Sequence, residues 1–314
     1  MLDRLRGHVW TIAPQLVDRL RPTPAPADAP WSCTLHDDRM GEVVLGGRLS
    51  RTDSTTLVLL VHGLGGSADS PYIRKAAAAV AARGWSYLRV DLRGADGRGE
   101  DLYHAGLSRD LAAALAHPQC AFATRVFVIG FSLGGHVSLR LASEPGDPRL
   151  AAVVAVCAPL DLARAAAVID APRKWVYRAH VLRALLASYR AVAARRGDAL
   201  PTPLREVERV TTIRQWDRLV VVPRHGFASV EDYWATASVA PRLSSLRVPA
   251  AWFGTRWDPM ITHASVAPVL ADARGGLEVH WLEPGGHVGF PRTLADGRTV
   301  EARLLQWLDA AAPA

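Results

Sequence analysis

Lysine is nearly missing from this 314-residue chain: Lys75 and Lys174 are the only two, although Lys and Arg together number 37. The other 35 basic residues are therefore arginine, and against 30 acidic residues they leave a formal charge of +7. Arginine in such excess raises the question of a polyanion partner. Its distribution answers that question. Arg195-Arg196 is the sole adjacent arginine pair, acidic residues are interspersed, and no basic block or nucleic-acid-binding motif is present, so no nucleic-acid partner is expected. The arginines read as a solvated coat. Arg178, Arg183, Arg190, Arg195 and Arg196 gather in one stretch, where charge could guide a substrate or a peripheral membrane contact.

Cysteine is also scarce. Cys33, Cys120 and Cys157 are odd in number and widely spaced, which excludes a disulfide framework and a metal knuckle and suits small buried hydrophobes. The eleven histidines contain no H-E-x-x-H pattern, so neither a metal nor another cofactor is expected. Long apolar runs are lacking too. Uncharged stretches such as 126–139 fall short of the roughly 18 residues a membrane span needs. The first 21 residues carry charges throughout, unlike a secretory signal, so a cytoplasmic protein is expected. What is present is ordinary globular material, 49% hydrophobic, with Gly 25 and Pro 21 too few for disorder or a collagen-like chain.

The pattern along the chain alternates. Residues 23–30 (T-P-A-P-A-D-A-P) read as a short linker after a leading segment. Leu57–Val61 is a continuous apolar run of the kind a strand buried on both faces shows. Helix is expected over 71–83, strand over 87–90, helix over 108–116, strand over 125–129, helix over 133–143 and strand over 150–156. Alternating strands and helices imply an α/β fold with a mostly parallel sheet covered on both faces. The alternation stops at Pro159 and resumes at 248–253. The residues between read as a helical insertion over the carboxyl edge of the sheet, and an amphipathic helix over 299–312 closes the chain.

Gly130-Phe131-Ser132-Leu133-Gly134 matches G-x-S-x-G between an expected strand and an expected helix, the context that gives the motif its meaning. A turn this tight needs glycines beside the serine and presents the hydroxyl at the positive end of a helix. Such a serine needs a base, and the base needs an orienting carboxylate, in the order Ser, acid, His. Asp258 follows the strand at 250–253, and His287 sits in a glycine-rich loop after the strand at 278–282. Asp161 and Glu283 remain as alternative acids, whereas His263 and His280 fall inside a helix and a strand. The oxyanion donors are assigned to the amides of Leu133, next to the serine, and Leu64, in the loop His62-Gly63-Leu64-Gly65-Gly66-Ser67. His62 reads as a residue that holds this loop. Trp175, Tyr177, Trp216, Phe227, Tyr233 and Trp234 are candidates to line an apolar pocket, with Trp216, Phe227 and Tyr233 taken as substrate-binding; packing within the insertion is the competing role.

These segments resemble the YheT-like branch of the α/β-hydrolase superfamily. The resemblance includes Gly7-His8-Val9-Trp10-Thr11-Ile12, Ser70-Pro71-Tyr72-Ile73, Leu92-Arg93-Gly94 and Tyr103-His104-Ala105-Gly106 with Asp110-Leu111. It continues through Ala158-Pro159-Leu160-Asp161-Leu162, Gly226-Phe227 with Asp232-Tyr233-Trp234, and Gly285-Gly286-His287-Val288-Gly289-Phe290. Two departures stand out. Trp257-Asp258-Pro259 replaces the family's D-D-P, and the stretch 174–201 matches poorly. The resemblance implies an α/β-hydrolase fold with a helical cap: a leading segment at 1–30, core at 31–158, cap at 159–246 and core again at 247–314. It also implies hydrolysis of carboxylic esters with short- to medium-chain acyl groups or of lipid esters, through Ser132, Asp258 and His287. A non-catalytic binding protein of this fold, or a thioesterase, amidase or acyltransferase with the same triad, are the alternatives.

Overall fold

A computed structural model describes residues 2–24, 26–197, 200–273 and 276–312. Eight strands form one sheet: β1 (Ala29–Asp37), β2 (Gly41–Ser50), β3 (Thr56–Val61), β4 (Ser86–Val90), β5 (Arg125–Phe131), β6 (Leu150–Val156), β7 (Ala250–Gly254) and β8 (Leu277–Trp281). Their spatial order is β1-β2-β4-β3-β5-β6-β7-β8. The β1–β2 and β2–β4 pairings are antiparallel and all others are parallel. The sheet is thus the mostly parallel one expected, extended by an antiparallel hairpin that the alternation over 31–50 does not announce.

The apolar run of β3 is buried along its whole length because both sheet faces are covered. Leu57, Leu59 and Val61 enter one core with α3 (Ser108–Ala116) and α4 (Leu133–Ser143). Val58 and Leu60 point the other way, against α2 (Pro71–Ala82) and the C-terminal helix Val300–Ala311. Each such side chain contributes roughly 1.5–3 kcal/mol by leaving water. A helix Leu2–Leu20, α1, precedes the sheet.

Between β6 and β7 the chain is helical: α5 (Leu162–Asp170), α6 (Trp175–Arg196), three short helices α7 (Leu204–Val207), α8 (Ile213–Trp216) and α9 (Val222–His225), and α10 (Val230–Ala237). A π-helical stretch, Asp217–Val221, joins α8 to α9. Beyond β7 come α11 (His263–Asp272) and the C-terminal helix, α12.

The arginines are not all a solvated coat. Arg89 and Arg93 are fully buried and Arg224 nearly so. Asp110 accepts two hydrogen bonds from Arg93 (2.6 and 2.7 Å), while Asp37 and Asp101 each accept from both Arg93 and Arg224. The network ties β1 to the loop after β4, to α3 and to α9. Burial by itself would raise the Asp37 carboxyl, but hydrogen bonds from Arg93 and the Arg39 amide and the charge of Arg224 hold it well below the usual carboxylate range. An arginine can be buried here because its donors are matched by three carboxylates. The Pro/Ala stretch is likewise anchored. The Thr23 amide donates to Asp18 (2.8 Å), and Asp28 accepts from Arg89 (3.0 Å) and Tyr87 (3.1 Å).

Candidate active site

Strand β5 passes into α4 through Ser132, whose φ of 51° and ψ of −121° suit neither element. A Cβ on Gly130 would lie 2.4 Å from the Gly134 carbonyl oxygen, and one on Gly134 would lie 2.4 Å from the oxygens of Val61 and His62. Only glycine fits at either place, and that is what lets the turn close and present Ser132. Among the described residues, the non-glycine residues with left-handed φ are Ser132, Cys157 (50°) and Val288 (48°). All three gather at this point of the molecule, where backbone strain is held by its surroundings.

The loops after β7 and β8 bring Asp258 and His287 to the serine. His287 Nε2 lies 3.0 Å from Ser132 Oγ, and its Nδ1 lies 2.8 Å from Asp258 Oδ2. Asp258 and His287 are both buried. The other Asp258 oxygen accepts the amides of Met260 (2.7 Å) and Ile261 (2.9 Å), which fixes the carboxylate plane. The remaining candidates lie elsewhere. Asp161 caps α5 by accepting the Arg164 amide, and Glu283 faces Arg256. His280 stacks on Phe253 and His263 sits beside Trp281.

The loop after β3 supplies a second set of groups. The Gly63 amide donates to Tyr72 Oη (3.0 Å) and the Gly65 amide to Tyr103 Oη (2.7 Å). The amide between them, Leu64, has no acceptor among the described residues, nor does the amide of Leu133. His62 is fully buried; burial pushes its pKa down to about 4, so the ring is neutral. It donates from Nδ1 to the Gly63 carbonyl (2.8 Å) and accepts the Leu92 amide at Nε2 (3.0 Å), holding the loop.

Helix α1 contributes a part that no motif assigned. The His287 amide donates to Thr11 Oγ1 at 2.8 Å, and the Thr11 hydroxyl donates to the Gly7 carbonyl at 2.8 Å. The helix lies directly on the histidine loop: a Cβ on Gly286 would come within 2.2 Å of the Gly7 oxygen. The string G-H-x-x-T-I marks this helix in the sequence without revealing what Thr11 does. Tyr72 and Tyr103 likewise lie within resembling strings that say nothing of the amides they hold.

A cavity of about 450 Å³ opens onto Ser132, Leu64, Leu133 and His287. Its walls are largely apolar and come from the helices between β6 and β7, including Ile169, Leu185, Trp216, Tyr233 and Trp234. Phe227 is not on this wall; it packs behind Tyr233 and against His104. Tyr177 bonds His8, and Trp175 lies on the surface, 64% exposed. Of the acidic residues that line it, Asp217 is the one set among the aromatic side chains of the insertion. Asp217 accepts the Trp234 indole N–H at 2.7 Å, and burial pushes its carboxyl up to about 7.

Among the described residues, one group of metal-ligand type lies close together: Cys157, Asp258 and His287, with donor atoms within 4.8 Å. Two of these already bond one another, and burial drives the Cys157 thiol well above its ordinary range, which keeps it protonated and a poor ligand. The group therefore does not suit a metal ion. No helix among the described residues is long and apolar enough to cross a membrane.

Residues 56–291 match the model of the alpha/beta hydrolase fold family. The chain is 31% identical over 258 residues to YheT of Escherichia coli, an inferred esterase, covering 80% of this chain and 76% of that one. It is 23% identical over 279 residues to a monoacylglycerol lipase of Saccharomyces cerevisiae, covering 83% of this chain and 60% of the yeast protein. Among solved structures, an esterase from Pyrococcus furiosus superimposes with a TM-score of 0.60 over 91% of each chain at 19% identity.

Proposed function

The chain belongs to the α/β-hydrolase family and is a serine-esterase type of hydrolase, and we propose that it cleaves carboxylic esters of short- to medium-chain acyl groups or lipids through Ser132, His287 and Asp258. The observation that carries the reading is the position of His287, bonded to the serine hydroxyl on one side and to a buried carboxylate on the other.

His287 Nε2 takes the Ser132 proton as Oγ attacks the ester carbonyl. The negative charge that develops on the carbonyl oxygen meets the Leu64 and Leu133 amides, which have no competing acceptor. Donors placed in advance cost no reorganisation during reaction, and each is worth about 3 kcal/mol of barrier. His287 passes its proton to the departing alcohol, leaving an acyl group on Ser132. It then activates the water that releases the acid. Asp258 holds the Nδ1–H tautomer and balances the imidazolium charge.

The apolar cavity beside Ser132 supports a hydrocarbon acyl chain as the bound group, with Trp216 and Tyr233 as contacts. The yeast relative's name points to a lipid ester of the same chemistry. The test is a chain-length series of p-nitrophenyl esters together with a fluorophosphonate label. Labelling of the wild type and not of Ser132→Ala, with kcat/KM rising with acyl length, is expected. Equal labelling of the two proteins would refute the mechanism, and a flat series would refute the acyl-binding role of the cavity. Asp258→Asn is expected to keep the fold and lower kcat by about 10² to 10⁴.

A further inference from the structure

Helix α1 is oriented against the usual rule for an amphipathic surface helix. Gly7, Thr11, Pro14 and Asp18 face the protein, spaced to form one stripe. The opposite stripe, Leu5, Val9, Ile12, Leu16 and Leu20, faces solvent at 41–84% exposure. The inward stripe is small and polar for a stated reason: the helix backbone rests on Trp257, Gly286 and Gly289, and Thr11 must reach the His287 amide. That leaves no place in the core for the aliphatic stripe.

The other exposed large apolar residues of the described chain are Val17, Trp175 and Val176. Trp175 and Val176 begin α6, and the His8–Tyr177 hydrogen bond and ring stack join that turn to α1. The two exposed apolar groups are therefore neighbours on one side of the molecule. Basic residues belong to the same segments: Arg6 lies within α1, Arg21 follows it, and Arg173 and Lys174 precede Trp175. The acidic side chain described on α1, Asp18, is paired with Arg74. The inward face of α1 reaches the cavity near the helix C-terminus, where Asp18 and its partner Arg74 line it.

We propose that α1 and the Trp175 turn form a docking surface for an anionic phospholipid bilayer, on which the protein lies with the cavity entrance at the lipid boundary. An interfacial helix sinks its apolar face about 5–10 Å into the headgroup region, and arginine and lysine beside it reach lipid phosphates. A tryptophan at the rim suits the same depth. A second copy of the chain fits less well, since a two-fold contact would set these basic residues against themselves. Delivery of substrate from the bilayer rests on the lipid-ester reading; the binding itself does not.

The test uses the full chain carrying Ser132→Ala, so that binding is read without turnover, and vesicles of phosphatidylcholine with and without phosphatidylglycerol. Co-sedimentation with the mixed vesicles, weakened by salt, is expected. Val9→Gln with Leu16→Gln should reduce partitioning about tenfold or more. The same pair in the otherwise wild-type chain should leave kcat on the soluble p-nitrophenyl acetate unchanged, which shows that the fold survives. Arg173→Glu with Trp175→Ala, on the other helix, should lower partitioning in the same direction. Absence of vesicle binding overturns the proposal, as does partitioning that either double variant leaves unchanged. A dimer that Val9→Gln with Leu16→Gln dissociates, without vesicle uptake, overturns it in favour of a second copy.

Discussion

Thr11 Oγ1 accepts the backbone N–H of His287, so a residue near the start of the chain sets the position of a histidine near its end. The bond is buried, and its loss leaves an amide without an acceptor. Thr11→Val is expected to cost about 1–3 kcal/mol of stability and to lower kcat several-fold, with KM moving less. Thr11→Ser should restore both. Urea unfolding and steady-state kinetics on one ester measure the two effects.

The tyrosines that hold the loop after β3 give a second expectation. Tyr72→Phe and Tyr103→Phe each remove the acceptor of an amide adjacent to Leu64. The Leu64 amide then loses its fixed direction toward the developing oxyanion. Each variant should lower kcat about tenfold while KM changes little, because the lost interaction belongs to the transition state. Unchanged kcat in a stably folded Tyr103→Phe would exclude this role for the hydroxyl.

Asp217 links the cavity wall to pH. Its carboxyl, ordinarily near 3.8, is pushed up to about 7 by burial, with the nearby Asp170 adding repulsion and the Trp234 N–H opposing both. The folded chain thus keeps a proton that the unfolded chain gives up. The stability this confers is complete below about pH 4 and is lost as the pH rises to 7. Asp217→Asn retains an acceptor for Trp234 and cannot ionise. The variant should match the wild type near pH 4 and exceed it by about 2–4 kcal/mol at pH 8, as read from thermal unfolding across that range.

Arg93 is the centre of the buried ionic network. Arg93→Met leaves Asp37, Asp101 and Asp110 without their shared partner and is expected to cost about 3–5 kcal/mol. Asp110→Asn keeps the shape and one of the two acceptors, and it leaves Arg93 paired with Asp37 and Asp101, so it should cost less. Denaturant midpoints for the two variants rank the effects.

The parts of this molecule that can be read from its sequence are those governed by local rules. Ser132 is legible because the glycines around it serve only a strand-to-helix turn. Asp258 and His287 are legible because each follows a run that can only be a parallel strand. The Leu64 loop follows β3 for the same reason. The β1–β2 hairpin escapes notice because Gly46 and Gly47 interrupt its alternation and its partner in the sheet is β4, some forty residues on. Arg93 escapes because its burial depends on carboxylates 8, 17 and 56 positions away. Phe227 and Tyr233 are aromatics six positions apart in the insertion, yet one lies behind the other relative to the cavity, and no periodicity distinguishes them. The docking of Thr11 spans 276 positions and rests on a single hydroxyl.

The ionic network also shows where the physical unit begins. The family match starts at residue 56, whereas Asp28 and Asp37 come earlier in the chain. A fragment trimmed to the matched segment would contain Ser132, Asp258 and His287 in full. It would nevertheless strand Arg89 without Asp28, deprive Arg93 and Arg224 of Asp37, and expose the β4 edge that β2 covers. Such a fragment would be complete in its catalytic side chains yet leave its buried arginines short of carboxylates, so the need to neutralise interior charge reaches further along the chain than the motifs do.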